Sequence, residues 1–142
     1  KLKNSHSTEF KKTANPVIGL MTEWIKDNKK VQRGFTSYKG GTMRLGSYPC
    51  EISKKTLAYK IYGSSKIHER HRHRYEVNTN YINKFKEEGY IFSGMSPDNL
   101  LPEIVESKNH PWFIGVQFHP ELKSRPLNPH PLFISFVKAC IK

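Results

Sequence analysis

The ten residues from Trp112 to Glu121 constrain the fold of this chain more than any other stretch. Trp112, Phe113, Ile114, Gly115 and Val116 form an apolar run of strand length, and Pro120, which cannot donate to a ladder, ends it. His119 therefore falls at the carboxyl end of a buried strand, the edge at which open α/β sheets place their ligand sites. In an extended segment, residues two apart share a side, so His119 and Glu121 face the same way. A carboxylate so placed can accept a hydrogen bond from one ring nitrogen, fix the tautomer and leave the other nitrogen to take a proton. Such a base is useful beside a nucleophile. Spacing alone leaves a plainer reading open, a strand-end histidine with a chance acidic neighbour.

Elsewhere the pattern alternates between the two periodicities. Pro16 to Trp24 suits a short helix with Pro16 at its first position. Residues 1–15 are polar and read as irregular. Residues 26–41 read as a surface loop ending in the Gly40-Gly41 pair. Met43 to Ile52 predicts a strand interrupted near Pro49. Ile67 to Val77 predicts another, with Arg70, Arg72 and Arg74 on one side and His71, His73 and Tyr75 on the other. Tyr81 to Glu88 fits a helix capped by Gly89, with Ile82 and Phe85 on one face. Strands near Tyr90–Gly94 and Leu101–Glu106 precede the His119 strand. A last helix begins at Pro131, its apolar stripe made of Leu132, Phe133, Phe136, Val137, Cys140 and Ile141. The order is strand-rich with flanking helices, as in an α/β sandwich.

The chain of 142 residues suits one domain or a large part of one. No apolar run reaches the length of a membrane span, and the basic N-terminus lacks the apolar stretch of a signal peptide. Cys50 and Cys140 form no metal-type spacing, which suits a reducing cytoplasm. The net charge of +12 lies wholly in the stretch through Arg74, where 17 basic side chains face 5 acidic ones; from Tyr75 onward there are 7 of each. Clustered lysine and arginine can neutralise phosphates. Few aromatics alternate with these lysines as stacking platforms, and no nucleic-acid motif is present, so a solvated basic face is the better account.

Several stretches resemble a known family. Gly115-Val116-Gln117-Phe118-His119-Pro120-Glu121 resembles the His/Glu element of the class I glutamine amidotransferases, which pair it with a cysteine nucleophile to release ammonia from glutamine. Ser7–Phe10 (STEF), Gly40–Gly46 (GGTMRLG), Glu69–Asn78 (ERHRHRYEVN), Asn109–Phe113 (NHPWF) and Lys123–Pro126 (KSRP) narrow the resemblance to the CTP synthases. They follow the family's order along nearly the whole chain, which a lone motif could not do. The lysine-rich loop at residues 28–39 departs from the pattern.

The resemblance implies an α/β fold with an open, mostly parallel sheet and flanking helices. Residues 1–142 would be the C-terminal part of a single glutaminase domain, its N-terminal portion and the synthase domain lying outside the chain. His119 and Glu121 would be the catalytic base and its orienter. Glu9 would meet the α-ammonium of glutamine, and Arg74 would grip its α-carboxylate at two points. By themselves these two read as an exposed acid near a chain end and one more solvated strand arginine. The parent protein would aminate UTP to CTP, with ATP and Mg in the synthase domain, and would be a homo-oligomer. No cofactor, nucleic acid or membrane is expected for this segment.

Thiolate chemistry also needs a nucleophile and an oxyanion hole. A nucleophile elbow wants a cysteine flanked by glycines on a sharp turn. Cys50 sits in Tyr48-Pro49-Cys50-Glu51, and Cys140 lies on the apolar stripe of the last helix, where thiols are inert packing. In the resembled family the elbow lies shortly upstream of the Ser7–Phe10 stretch, so the resemblance implies a nucleophile ahead of this chain and a chain inactive by itself. His71 and His73 share a strand face, but a metal site needs further ligands, and none is placed by spacing; packing or hydrogen bonding suits them better. Gly40–Gly46 lacks the Gly-Lys-Ser/Thr ending of a phosphate loop and reads as a turn entering a strand, with Arg44 placed structurally. Two further readings are another class I amidotransferase or γ-glutamyl hydrolase relative, and a basic binding module without chemistry. The Arg70–Tyr75 stretch favours CTP synthase over the first.

Overall fold

Alternating inward and outward residues mark the longer strands of this chain, Arg44–Ile52 and Lys66–His73. The computed structural model describes residues 2–20 and 43–141. Its strands are β1 (Ser5–Ser7), β2 (Asn15–Gly19), β3 (Arg44–Ile52), β4 (Lys66–His73), β5 (Glu76–Val77), β6 (Tyr90–Met95), β7 (Pro102–Ser107) and β8 (Ile114–Val116). Its helices are α1 (Leu57–Tyr62), α2 (Ile82–Glu87) and α3 (Pro131–Cys140).

Five strands form one sheet in the order β4-β3-β6-β7-β8, and β1-β2-β5 form a second. Every ladder of the larger sheet is antiparallel, and the described residues hold a single parallel pair, β1 with β2. The mostly parallel sheet expected above is therefore corrected for these residues. Residues 96–101 join β6 to β7 and residues 108–113 join β7 to β8, short connections that favour antiparallel neighbours.

Several elements differ from expectation for local reasons. The helix expected from Pro16 to Trp24 is a strand as far as Gly19. Val17 and Ile18 are β-branched, and the Pro16 carbonyl is used by Asn78 Nδ2 at 2.9 Å. Residues 21–24 lie outside the described residues, as do the expected loop at 26–41 and the Gly40-Gly41 turn. The polar N-terminal stretch contributes β1. Pro49 does not interrupt β3, which runs unbroken for nine residues against β4. The strand expected from Ile67 to Val77 divides at Arg74 and Tyr75, which carry the chain from one sheet to the other. Gly89 takes φ +83° just beyond α2, the left-handed conformation that ends a helix.

One face of the larger sheet carries the core. Cys50 and Ile52 from β3, Ile67 from β4 and Ile104 from β7 meet Ala58 of α1, Leu132 of α3 and Phe118. Gly94 allows this close approach, because a Cβ there would stand 2.6 Å from Ile104 Cγ1 and 2.9 Å from Cys50 Sγ. The stripe on α3 is only partly covered: Leu132 is buried, while Phe133, Phe136, Val137, Cys140 and Ile141 are exposed. Burial of Cys140 is thus corrected; α3 meets α1, and Trp112 packs on Phe136 at 5.1 Å between centroids while its Nε1 donates to Ser135 Oγ at 2.8 Å.

The sequence reading does not anticipate α1. Six residues cannot sustain a helix unaided, since nucleation costs more than so few bonds return. Thr56 caps its start by accepting from the Tyr59 amide at 3.1 Å, and Gly63 closes it at φ +67°. From β7, the buried Glu106 carboxylate accepts the amides of Leu57 at 2.9 Å and Ala58 at 2.8 Å. Glu106→Ala is expected to lower the unfolding free energy by about 2–3 kcal/mol in urea titrations, the worth of hydrogen bonds to a charged acceptor. Glu106→Gln, which keeps one acceptor oxygen, should recover part of that loss.

Candidate active site

Beyond β8 the chain is tied down residue by residue. The Gln117 amide donates to the Glu103 carbonyl at 3.0 Å, Phe118 is buried in the core, and the His119 amide donates to the Arg70 carbonyl of β4 at 2.8 Å. Pro120 then opens a 3-10 turn through Leu122. His119 and Glu121 therefore do not share a strand. His119 is extended (φ −113°, ψ 90°), and the turn swings Glu121 back beneath it. The pairing expected of them is present all the same: His119 Nδ1 lies 2.7 Å from Glu121 Oε1. With Nδ1 donating to the carboxylate, Nε2 is the nitrogen left as a proton acceptor. The hydrogen bond from His119 holds the Glu121 carboxyl below its usual range, helped by backbone hydrogen bonding and by Arg72.

Glu9 and Arg74 come together in one cleft of about 440 Å³, whose walls also include Ser7, Arg72, His73 and Gln117. Glu9 follows β1, and Arg74 stands at the turn where the chain changes sheets, so two distant stretches are joined by the fold. Both side chains reach the solvent-facing side. Neither His119 nor Glu121 lines this cleft; Gln117, two residues before His119, does, as does Arg72, whose charge acts on Glu121. Sequence reasoning missed Arg72, His73 and Gln117. The signal for Gln117 was available, since it alternates with His119 and Glu121 in the same heptapeptide.

A buried polar cluster supports these walls. Arg44, 8% exposed, reaches Glu76 at 3.4 Å and Glu103 at 2.7 Å. Glu76 also receives His73 Nε2 at 3.0 Å and the side-chain amide of Gln117, which donates to the Pro102 carbonyl as well, at 3.1 Å. Arg44 is thus structural, as its position at the head of a strand suggested. Burial works against its charge, but Glu103 and Glu76 outweigh that and raise its pKa. Burial pushes Glu103 up to about 7 despite Arg44. His71, 1% exposed, packs edge-on against Tyr48 and Phe118 with its Nε2 3.6 Å from Glu103. Burial, with Arg44, His73 and His119 nearby, lowers its pKa to about 3. Its ring is tilted against that of His73, 5.2 Å between centroids; His71 serves packing, with no hydrogen-bond partner at either ring nitrogen among the described residues, and His73 bonds Glu76. Among the described residues no group of three or more His, Cys, Asp or Glu could hold a metal ion.

Neither cysteine has the surroundings of a nucleophile. Cys50 is 1% exposed, and burial next to Glu103 and Glu69 pushes its thiol up to about 12. It is protonated at neutral pH and unreactive. Cys140 is exposed as the last residue of α3, not on the sharp strand-to-helix turn that a nucleophile elbow needs.

The family model for glutamine amidotransferase class-I matches residues 8–139. The chain belongs to the class I glutamine amidotransferases. The CTP synthase of Hyphomonas neptunium is 59% identical to this amidotransferase chain over 141 residues, 99% of the chain and 26% of the relative. That of Pelagibacter ubique is 62% identical over 138 residues, 97% of the chain and again 26% of the relative. The chain thus spans about a quarter of the length of the curated relatives it matches. The glutaminase domain of Trypanosoma brucei CTPS, solved with bound acivicin, superposes with a TM-score of 0.79 at 34% identity, over 96% of this chain and 50% of that one.

The cluster beneath the amidotransferase site has a pH signature. The fold favours neutral His71, so the unfolded chain binds its proton near pH 6.5 and the native chain only near 3. Stability from this group is complete above pH 6.5 and declines as pH falls towards 3, by at most about 1.4 kcal/mol per pH unit. NMR titration should find the His71 ring neutral down to about pH 4.5 in the native protein. His71→Phe should flatten the acid limb of the stability curve.

Proposed function

We propose that this chain is the part of a CTP synthase that carries the base and orienter of its glutaminase, together with part of the glutamine pocket. His119 Nε2 takes the proton of a cysteine thiol as the thiolate attacks the carboxamide carbon of glutamine. It then delivers that proton to the departing ammonia, leaving a thioester that water opens. Glu121 holds the Nδ1–H tautomer and stabilises the imidazolium formed between the two transfers. Glu9 faces the α-ammonium and Arg74 the α-carboxylate, so the amino acid is held by its charged end and the carboxamide is presented to the base. The single observation that carries the reading is the 2.7 Å hydrogen bond between His119 Nδ1 and Glu121 Oε1; a cleft lined by both Glu9 and Arg74 supports it.

The nucleophile comes from outside these residues in this reading, because Cys50 is a buried protonated thiol and Cys140 stands on an exposed helix face. The ammonia would aminate UTP to CTP in a synthase domain that binds ATP and Mg, in a cytoplasmic homo-oligomer. High identity to CTP synthases over nearly the whole chain supports this reaction above that of other amidotransferases. No helix among the described residues is long and apolar enough to cross a membrane.

In the full-length protein, His119→Ala is expected to reduce glutamine-dependent CTP formation by about two to four orders of magnitude. Activity with ammonium salts in place of glutamine should persist. Arg74→Ala and Glu9→Ala should raise KM for glutamine about tenfold or more through loss of a charged partner. Undiminished glutamine use by His119→Ala would overturn the assignment. A second check is intact mass after incubation with a diazo-ketone glutamine analogue. The full-length protein should gain one adduct and residues 1–142 none; an adduct on the shorter chain would assign the nucleophile to Cys50 or Cys140.

A further inference from the structure

The turn carrying Glu121 belongs to a loop that runs from His119 to the start of α3 and is fastened to β4 at three places. At its beginning the His119 amide donates to the Arg70 carbonyl at 2.8 Å. Four residues on, the Lys123 ammonium donates to the His68 carbonyl at 2.6 Å and lies 3.3 Å from Glu69 Oε2. At its end His130 Nε2 donates to Glu69 Oε1 at 2.9 Å, while its Nδ1 accepts the Leu132 amide at 3.3 Å and caps α3. Lys123 and His130, at opposite ends of the stretch that follows the turn, thus hold the same carboxylate. Glu69 is 1% exposed, and the Tyr62 hydroxyl donates to it from α1 at 3.1 Å. Burial alone would raise its pKa, but His130 and Lys123 outweigh that and keep it ionised.

Glu121 itself has little to hold it. Its side chain is 59% exposed, and the 3-10 turn around it is too short to be rigid unaided. The Lys123 and Ser124 amides close this turn on the Pro120 carbonyl, each at 3.0 Å, so moving Lys123 moves the turn. The chemistry above gives Lys123 no step.

We propose that Lys123 and Glu69 are positioning residues for glutamine hydrolysis, a clamp that fixes the turn bearing Glu121 and so keeps the His119 ring aimed at the nucleophile. The proposal rests on the reading of His119 and Glu121 as base and orienter. Releasing the clamp lets the base wander and spares the glutamine pocket, whose cleft holds Glu9 and Arg74 but neither Lys123 nor Glu69 in its lining. Misplacing a catalytic group by about 1 Å can cost about a hundredfold in rate.

The test uses the full-length protein with Lys123→Met, Lys123→Arg, Glu69→Gln and His119→Ala, assayed with glutamine and separately with ammonium salts. For Lys123→Met and Glu69→Gln, kcat for glutamine hydrolysis is expected to fall about ten- to a hundredfold. KM for glutamine should stay within about twofold and ammonium-driven activity should be unchanged, as expected for misplacement of a group rather than loss of uniform binding. Lys123→Arg, which can still reach both acceptors, should recover most of the rate. Wild-type kcat in Lys123→Met, with His119→Ala inactive on glutamine, overturns the clamp and leaves the base assignment standing. Parallel loss of both activities with a lowered Tm makes the pair merely structural and also overturns it. If His119→Ala still hydrolyses glutamine, the reading of the base fails first and the clamp falls with it.

Discussion

Carboxylates buried among apolar strands must be met by cations or donors, because desolvated charge is costly and cannot be left alone. Glu69, Glu76, Glu103 and Glu106 are all 4% exposed or less, and the arrangement of this chain follows from how each is satisfied. Glu106 draws in the start of α1. Glu103 and Glu76 share Arg44, and Glu76 also takes His73 and Gln117, which fixes two walls of the cleft against each other. Glu69 takes Tyr62, Lys123 and His130, which fixes the loop around Glu121. Most of these bonds join elements far apart in the chain, so the polar groups specify which strand ends meet.

The site thereby divides into parts of different rigidity. His119 is anchored through its backbone to β4, with buried Phe118 just before it. Glu121 stands in solvent, where its bond to His119 would count for little if the turn were free to move. An exposed carboxylate orienting a base can work when the backbone beneath it is fixed. His71, neutral beside His73 and near the Arg44 charge, adds no positive charge next to His119.

Much of this was legible in the residues. The strands around Tyr90 and Leu101, the helix beginning at Pro131 and the cap at Gly89 follow from periodicity and turn chemistry that act locally. The pairing of His119 with Glu121 was legible too, although for a partly mistaken reason: a proline-led turn brings them together, and spacing by two serves a turn as well as a strand. Other features were not. Val17 and Ile18 override the helix-starting signal of Pro16 because β1 and β5 offer them ladders, and nothing near Pro16 announces those partners. The helix α1 had readable ends in Thr56 and Gly63, but much of its support comes from Glu106, 49 residues away from Leu57. The outward face of Cys140 was hidden because an apolar stripe shows only that a face can be buried, not what lies against it.

The sequence by itself determined the family and the pairing of His119 with Glu121, and it singled out Glu9 and Arg74. These depend on the chemical identity of side chains in short ordered stretches, which survives without coordinates. The tertiary structure decided that the larger sheet is antiparallel, that Glu9 and Arg74 share one cleft, and that Lys123 reaches Glu69 beneath the Glu121 turn. Those depend on contacts between stretches tens of residues apart, settled by which pairings satisfy buried charge and backbone together, and no local pattern encodes that choice.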